Sequence, residues 1–264
     1  MAGRNPLFNI SRLIDESTKK EVSVETSFSE DMKLCIEKLN TQTGKPSIYY
    51  KPSSMACIRN MYYQRIEADL DGSTVSPDLV GIGESGTDRH LRLQYYVSSM
   101  RGLGIDCDYV DVPEYIQSHN LTDLEVLESK QYETKLFHKK YQLRFMLDGL
   151  IYYKGVYYIL EIKTESSYKW MSRGGVDPNH YNQAYCYSLC LGIPRVLFIY
   201  ENRDCCTKKY YVLNVTDTDR QSIVNKITTC ESYVSTHVTP PKPNPVDKKV
   251  CQYCDYRKLC RSDK

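Results

Sequence analysis

The sequence predicts an α/β fold, one main domain followed by a small cysteine-bearing appendage. Three observations carry that expectation. Between residues 132 and 215, short segments rich in β-branched and aromatic residues alternate with helical patterns. Lys154-Gly155 forms a two-residue turn signal inside the longest of these segments. Past the stiff, extended linker of Pro240, Pro241, Pro243 and Pro245, a compact polar stretch holds Cys251, Cys254 and Cys260.

Composition bounds what the chain can be. At 264 residues with 41% hydrophobic and 26% charged side chains, it can bury a sizeable core, and disorder, collagen and coiled coil are excluded. A net charge of +2 excludes a uniformly basic coat and leaves room for a local basic groove. No stretch approaches the ~18 apolar residues that span a membrane. The segment MAGRNPLFNISRLIDESTKK lacks the apolar centre of a signal peptide, so a reducing cytoplasm is expected. There, eleven cysteines are core fillers or metal ligands rather than a disulfide framework. The excess of 24 tyrosines over 5 phenylalanines fits biased genome composition as well as a binding surface, and receives no function.

Residues 1–50 are polar and weakly patterned, with a short helix expected from about Glu30 to Leu39 capped by Ser29. A second helix is expected from Ser53 or Ser54, carrying Cys57, Ile58, Met61 and Tyr62. A third runs from Thr87 to Met100, with His90, Leu93, Val97 and Met100 on one stripe and Gly102 and Gly104 after it. Tyr132–Phe137, Tyr141–Tyr153 and Val156–Thr164 read as strands, followed by a glycine-rich basic loop from Glu165 to Asp177. Asp177 caps a helix that has Pro178 at its first position and stops at Gly192. Arg195–Tyr200 and Lys209–Val215 are two more strands, and Asp219 to about Ser235 a helix. The organisation is thus an N-terminal segment of unknown role (1–50), a core (51–238), and the proline linker with its cysteine tail (239–264).

The hairpin carries the chemistry. If Lys154-Gly155 is the turn, Tyr153 faces Val156 and Asp148 falls opposite Glu161, with Lys163 on the same face. Carboxylates directly opposite each other repel at a cost of up to about 1 kcal/mol. A divalent cation between them reverses the sign, and hard oxygen ligands suit Mg²⁺ or Mn²⁺. A neighbouring lysine can hold a water or steady charge on a phosphate. The bland alternative is an exposed strand face with solvated charges. His90 by itself reads as a satisfied core histidine ahead of a ligand, and Gln183 and Tyr187 are a bare i, i+4 pair. Three thiolates at Cys251, Cys254 and Cys260 need a fourth ligand. Cys57 can serve; zinc completed by Cys230 or His237 is the alternative.

In order, His90, Asp148, Glu161-Ile-Lys163 and Gln183-x3-Tyr187 resemble the PD-(D/E)XK nucleases of the RecB type. With Cys57 before these motifs and Cys251, Cys254 and Cys260 after them, the chain is similar to CRISPR-associated RecB-type exonucleases with a four-cysteine iron–sulfur cluster, and to their phage-encoded relatives. The likeness spans about Cys57 to Cys260; Leu147 stands where the superfamily's eponymous proline would be. The resemblance implies a restriction-endonuclease-like core, a central mixed sheet flanked by helices, with the iron–sulfur tail as its appendage. It implies His90, Asp148 and Glu161 as ligands of Mg²⁺ or Mn²⁺, Lys163 as the catalytic lysine, and Gln183 and Tyr187 as residues positioning the scissile strand. It assigns Cys57, Cys251, Cys254 and Cys260 to a structural four-iron four-sulfur cluster. The implied activity is metal-dependent hydrolysis of DNA by an exonuclease, on single strands or ends, in a bacterial, archaeal or virus-infected cell. The implied partners are DNA and proteins of recombination, replication or CRISPR adaptation.

Lys169, Trp170 and Arg173 follow the active strand directly. Trp170 can stack a base while Lys169 and Arg173 hold phosphates; equally, Trp170 can cover the core edge while the cations are solvated. Arg59, Arg65, Arg89 and Arg92 are further basic residues on the early helices. Competing with the enzyme are a non-catalytic DNA-binding module on a nuclease scaffold and a zinc-containing interaction protein.

Overall fold

A computed structural model of the chain describes residues 23–40, 47–71, 76–244, 248–252 and 254–263. Pro245 of the linker and the first 22 residues lie outside them. Two compact units are present, one formed by residues 1–42 with 74–81 and the other by residues 43–73 with 82–264.

In the first unit, α1 (Val24–Leu39) begins earlier than expected, because the Ser23 hydroxyl accepts the Thr26 N–H and caps the helix upstream of Ser29. None of its side chains is buried. The helix expected from Thr87 likewise starts sooner, as α3 (Pro77–Ser98); glycines at 81, 83 and 86 lowered its helical signal without stopping it.

The second unit is a mixed α/β structure. A 3₁₀ turn (Pro52–Ala56) precedes α2 (Ile58–Arg65), so the single helix expected from Ser53 is divided at Cys57, whose backbone is extended. Then come β1 (Cys107–Tyr109), α4 (Val112–Ser118), β2 (Leu124–Ser129), β3 (Thr134–His138), β4 (Leu143–Leu147), β5 (Gly149–Tyr153) and β6 (Val156–Glu165). After α5 (Ser167–Met171), a 3₁₀ turn at Pro178–His180 leads into α6 (Tyr181–Leu191). Asp177 caps that turn by accepting the Asn179 N–H, and Gly192 ends α6 at φ 73°. Strands β7 (Arg195–Asn202) and β8 (Lys208–Asn214) follow, then α7 (Asp217–Thr236), opened by a Thr216/Asp219 capping box. Helices α8 (Lys248–Gln252) and α9 (Arg257–Ser262) form the tail.

Five strands form the central sheet in the order β1-β5-β6-β7-β8; β6 and β7 run parallel and the other neighbours antiparallel. Strands β2, β3 and β4 form a separate antiparallel sheet. Alternation along the central strands divides their side chains between two cores. Leu150, Ile159, Val196 and Phe198 pack with Ala184, Cys186 and Leu191 of α6 and Ile223 of α7. Ile151, Leu160, Ile162 and Ile199 pack with Leu93 and Val97 of α3 on the opposite face. Helix α3 is also tied to the sheet by charge. Glu201, fully buried on β7, takes Arg89 at 3.0 Å, Arg92 at 2.6 Å and Lys208 at 3.3 Å. Buried charges require such pairing.

The expected strand Tyr141–Tyr153 is in fact two strands in two sheets, broken at Asp148. Gln94 Nε2 and the Tyr109 hydroxyl both donate to the Asp148 carbonyl at 2.6 Å, so the interruption is held from both α3 and β1. At Gly149 a Cβ would collide with the Tyr109 hydroxyl and ring, which makes glycine a requirement of this close approach. Gly149→Ala is therefore expected to destabilise the protein by about 1–3 kcal/mol, the range for an overpacked core. Urea denaturation measures it, and an unchanged midpoint would show that Tyr109 moves aside at no cost.

Candidate active site

Lys154 and Gly155 both have positive φ (48° and 81°), as a two-residue turn of this hairpin requires. The β5–β6 register pairs Tyr153 with Val156 and Gly149 with Leu160. One step beyond, the strands part: β4 departs into its own sheet, and Asp148 and Glu161 face each other across the opening. The Asp148 side chain replaces the missing ladder, its Oδ2 accepting the Ile162 N–H at 2.7 Å. Its other oxygen lies 3.3 Å from His90 Nδ1, brought by α3.

The same extrapolation exposes a residue that the sequence reading missed. On the other side of Asp148, β3 pairs Thr134 with Leu147, so Glu133 occupies the next position, facing Asp148. Ligand atoms of His90, Glu133 and Asp148 all lie within 4.8 Å of one another, and each residue is half-buried. Glu133, Asp148 and Glu161 thus form a row of three carboxylates. Glu133 carries no local signal, being one acid among several in its segment; only the β3–β4 register reveals it. Gln94 did carry a signal, standing one turn after His90 on the same helix.

Glu161 is 1% exposed; its Oε1 meets the Lys163 ammonium, and its Oε2 has no partner among the described residues. Burial, aided by the charge of Asp148, pushes the Glu161 carboxyl up to about 8, with Lys163 acting in the opposite direction. Burial works against a charged His90, but its contact with Asp148 outweighs that and lifts it above its ordinary value. Burial and then the Asp148 charge raise Glu133. A buried carboxylate with one oxygen unpartnered among the described residues, beside two more acids and an imidazole, is a donor set suited to a hard divalent cation.

Lys163 is fixed from a second direction. The Gln183 carbonyl accepts from its ammonium at 2.9 Å, Gln183 Nε2 donates to the Tyr187 hydroxyl at 2.7 Å, and that hydroxyl donates to the Met146 carbonyl at 2.7 Å. The i, i+4 pair on α6 therefore links the lysine to the backbone of β4. All six residues singled out by sequence, His90, Asp148, Glu161, Lys163, Gln183 and Tyr187, converge here.

The basic loop is arranged differently from expectation. Arg173 is half-buried: Glu165 and Asp177 bind its guanidinium, which also stacks 4.4 Å from the Tyr200 ring centre. It is thereby committed internally rather than presented to phosphate. Trp170 is half-buried, with the Lys209 ammonium 4.2 Å over its ring. Lys169 is exposed beside Tyr168, which is 86% exposed. Arg59, Arg65, Arg89 and Arg92 all form ion pairs within the unit, with Asp263, Glu231 and Glu201 as partners.

Elsewhere in the unit, Cys57, Cys251, Cys254 and Cys260 line one cavity of about 710 Å³. Lys242, Lys248, Arg257 and Arg261 line it too, a cationic surround suited to thiolates. Asn60 Nδ2 lies 3.3 Å from Cys254 Sγ, and burial raises that thiol. Cys230 sits in the main core and His237 caps the C-terminus of α7; neither lines this cavity. The tail is further clasped to α2: Arg59 donates to Pro240 O at 3.0 Å and Asp263 O at 3.1 Å, and the Tyr63 hydroxyl to Asp263 Oδ2 at 2.8 Å.

Neither a protein-family model nor a curated protein matches the sequence. Among solved structures, that of SSO0001 aligns over 92% of this chain and 98% of its own, at 15% identity and a TM-score of 0.42. An alkaline exonuclease from Laribacter hongkongensis, LHK-Exo, aligns over 73% of this chain and 90% of its own, at 12% identity and a TM-score of 0.43. Its complex with dAMP aligns over 81% and 95%, at 13% identity and a TM-score of 0.41. At these identities and scores, function rests on the geometry of the site itself. No helix among the described residues is long and apolar enough to cross a membrane.

The raised Glu161 carboxyl fixes the sign of two pH effects. Its proton is favoured in the folded state, so the stability it contributes to the metal-free protein is present below its ordinary 4.5 and lost as pH rises toward about 8. A cation must displace that proton, so Mg²⁺ or Mn²⁺ affinity should rise about tenfold per pH unit below that value and level off above it. Titration calorimetry between pH 6 and 9 reads this directly; a flat profile would remove Glu161 from the ligand set.

Proposed function

We propose that the chain is a metal-dependent DNA exonuclease that acts on single strands or strand ends, with a structural four-iron four-sulfur cluster in the cysteine cavity. The observation that carries the catalytic part is Glu161, a buried carboxylate with Lys163 on one oxygen and nothing on the other among the described residues, next to the His90, Glu133 and Asp148 group. Four Cys residues around one cation-lined cavity support the cluster.

Asp148, Glu161 and His90, with Glu133 beside them, would hold Mg²⁺ or Mn²⁺, which when bound supplies a Lewis acid for phosphate oxygens and acidifies water. The chain's own contribution centres on Lys163. An ammonium has three donors. Glu161 and Gln183 engage two directions, leaving the third for the attacking water or a phosphate oxygen. Gln183 gives the ammonium a second fixed partner besides Glu161, so its charge stays where negative charge develops on the phosphate. Tyr168 and Lys169, exposed at the exit of β6, offer an aromatic face and a cation to the strand.

Anaerobically purified protein should degrade end-labelled single-stranded DNA with Mn²⁺ or Mg²⁺ and not with chelator. Lys163→Ala should lower the rate about 10²–10³-fold without unfolding. No cleavage by cluster-replete wild type would favour the DNA-binding module; equal cleavage by the variant would place the activity elsewhere.

Cys57→Ala and Cys254→Ala should each abolish the brown colour and most of the bound iron. Full iron in the first variant would remove Cys57 from the cluster, and zinc in place of iron in the wild type would replace the cluster reading.

A further inference from the structure

A second cavity, of about 310 Å³, opens beside the Lys163–Gln183–Tyr187 chain, with Gln183 and Tyr187 in its wall. Its volume sits at the lower end of the range of about 300–1,000 Å³ typical of small-molecule sites. Carbon surface comes from Pro52 and Ala56, and polar groups from Ser53, Asn179, His180 and Asn182. No aspartate, glutamate, lysine or arginine lines it. A pocket built for a phosphate would carry cations, since Arg and Lys provide the strong contacts to that anion.

Charged neighbours fix the orientation of both asparagine amides. Asn182 Oδ1 accepts from the Lys226 ammonium at 2.7 Å, and an ammonium can only donate, so the nitrogen of that amide is the end left over. Asn179 Nδ2 donates to Asp177 Oδ1 at 2.8 Å, and an ionised carboxylate can only accept, so its carbonyl is the end left over. Neither leftover atom has a partner among the described residues. Asn179 and Asn182 thus bring one fixed amide acceptor and one fixed amide donor to the lining of the cavity, alongside the carbon surface of Pro52 and Ala56. His180 adds an imidazole whose Nδ1 is 2.8 Å from the Tyr200 hydroxyl and which burial pushes down to about 4, so it is uncharged near neutrality.

We infer that this cavity receives a nucleobase of the strand being cut, seated next to the lysine and read through Asn179 and Asn182. The inference rests on the nuclease reading and adds to it a base-binding subsite. A nucleobase edge presents donors and acceptors side by side on a flat apolar body, the complement of this lining, and neutral amides bind it in preference to a backbone phosphate. Gln183 forms the shared wall, so a base held there brings its own phosphate toward Lys163.

The test is calorimetric titration of the full-length protein, in Mg²⁺, with thymidine 5′-monophosphate, deoxyribose 5-phosphate and inorganic phosphate. The nucleotide should bind at least tenfold more tightly than the sugar phosphate. Asn182→Asp keeps an oxygen toward Lys226 while removing the donor, and should erase most of that difference with the fold intact. In parallel, cleavage of a normal strand is compared with that of one carrying an abasic residue at its end. Wild type should lose at least tenfold in kcat/KM on the abasic strand, and Asn182→Asp should treat the two strands nearly alike. Equal affinity for the nucleotide and the sugar phosphate would overturn the subsite even if Lys163-dependent cleavage is present. Tight, Asn182-dependent nucleotide binding by a protein that cleaves nothing would leave the subsite standing and remove the nuclease reading.

Discussion

The interruption of the strand at Asp148 sets the geometry on which the site depends. A continuous β-strand would carry this carboxylate on a paired ladder and would give β6 a complete neighbour. Instead β4 leaves for a second sheet, and the backbone carbonyl at the break is held by Gln94 from α3 and Tyr109 from β1. The opening sits between two registers, and each delivers an acid to face Asp148: Glu133 from the β3–β4 side and Glu161 from the β5–β6 side. Two sheets sharing one broken strand are thus an economical way to bring three carboxylates together from distant parts of the chain.

The helices serve that opening from opposite faces. Helix α3 supplies His90 and is locked by Arg89 and Arg92 on the buried Glu201, so the imidazole has little freedom to withdraw. Helix α6 supplies Gln183 and Tyr187 to the face where Glu161 and Lys163 project. Parity along β6 explains the division: Leu160 and Ile162 point toward α3, and Glu161 and Lys163 away from it. The cations that sequence placed near DNA went largely to internal work of this kind, since a carboxylate buried by folding must find its partner among residues already close by.

Legibility in the sequence followed the range of the signal. The hairpin register was readable because Lys154-Gly155 is a local turn with one favoured geometry, and everything opposite it followed by counting. The break at Asp148 was not, because alternation of Leu143, Phe145 and Leu147 runs unaltered up to it and the clue lies in the distant Tyr109. Glu133 needed the β3–β4 pairing, whose turn has no comparable signature. Arg173 read as a solvent-facing cation because its partners, Glu165 and Asp177, flank a loop whose closure only the folded chain reveals. Cys57 was placed within a helix whose N-cap position it occupies instead, yet its company with Cys251, Cys254 and Cys260 around one cavity is what the cysteine spacing left open.

The link from Lys163 through Gln183 and Tyr187 to Met146 has a direction. Each hydrogen bond in it is donated the same way, away from the ammonium and toward the main chain of β4. An amide can accept at one end and donate at the other, whereas a carboxylate in its place would accept from both neighbours and leave the Met146 carbonyl without its donor. The relay therefore works as a polarised strut: the charge on the lysine orients the amide, the amide orients the phenol, and the phenol anchors the strand whose end carries Asp148. Charge state at one side of the opening and backbone position at the other are in this way parts of a single mechanical element.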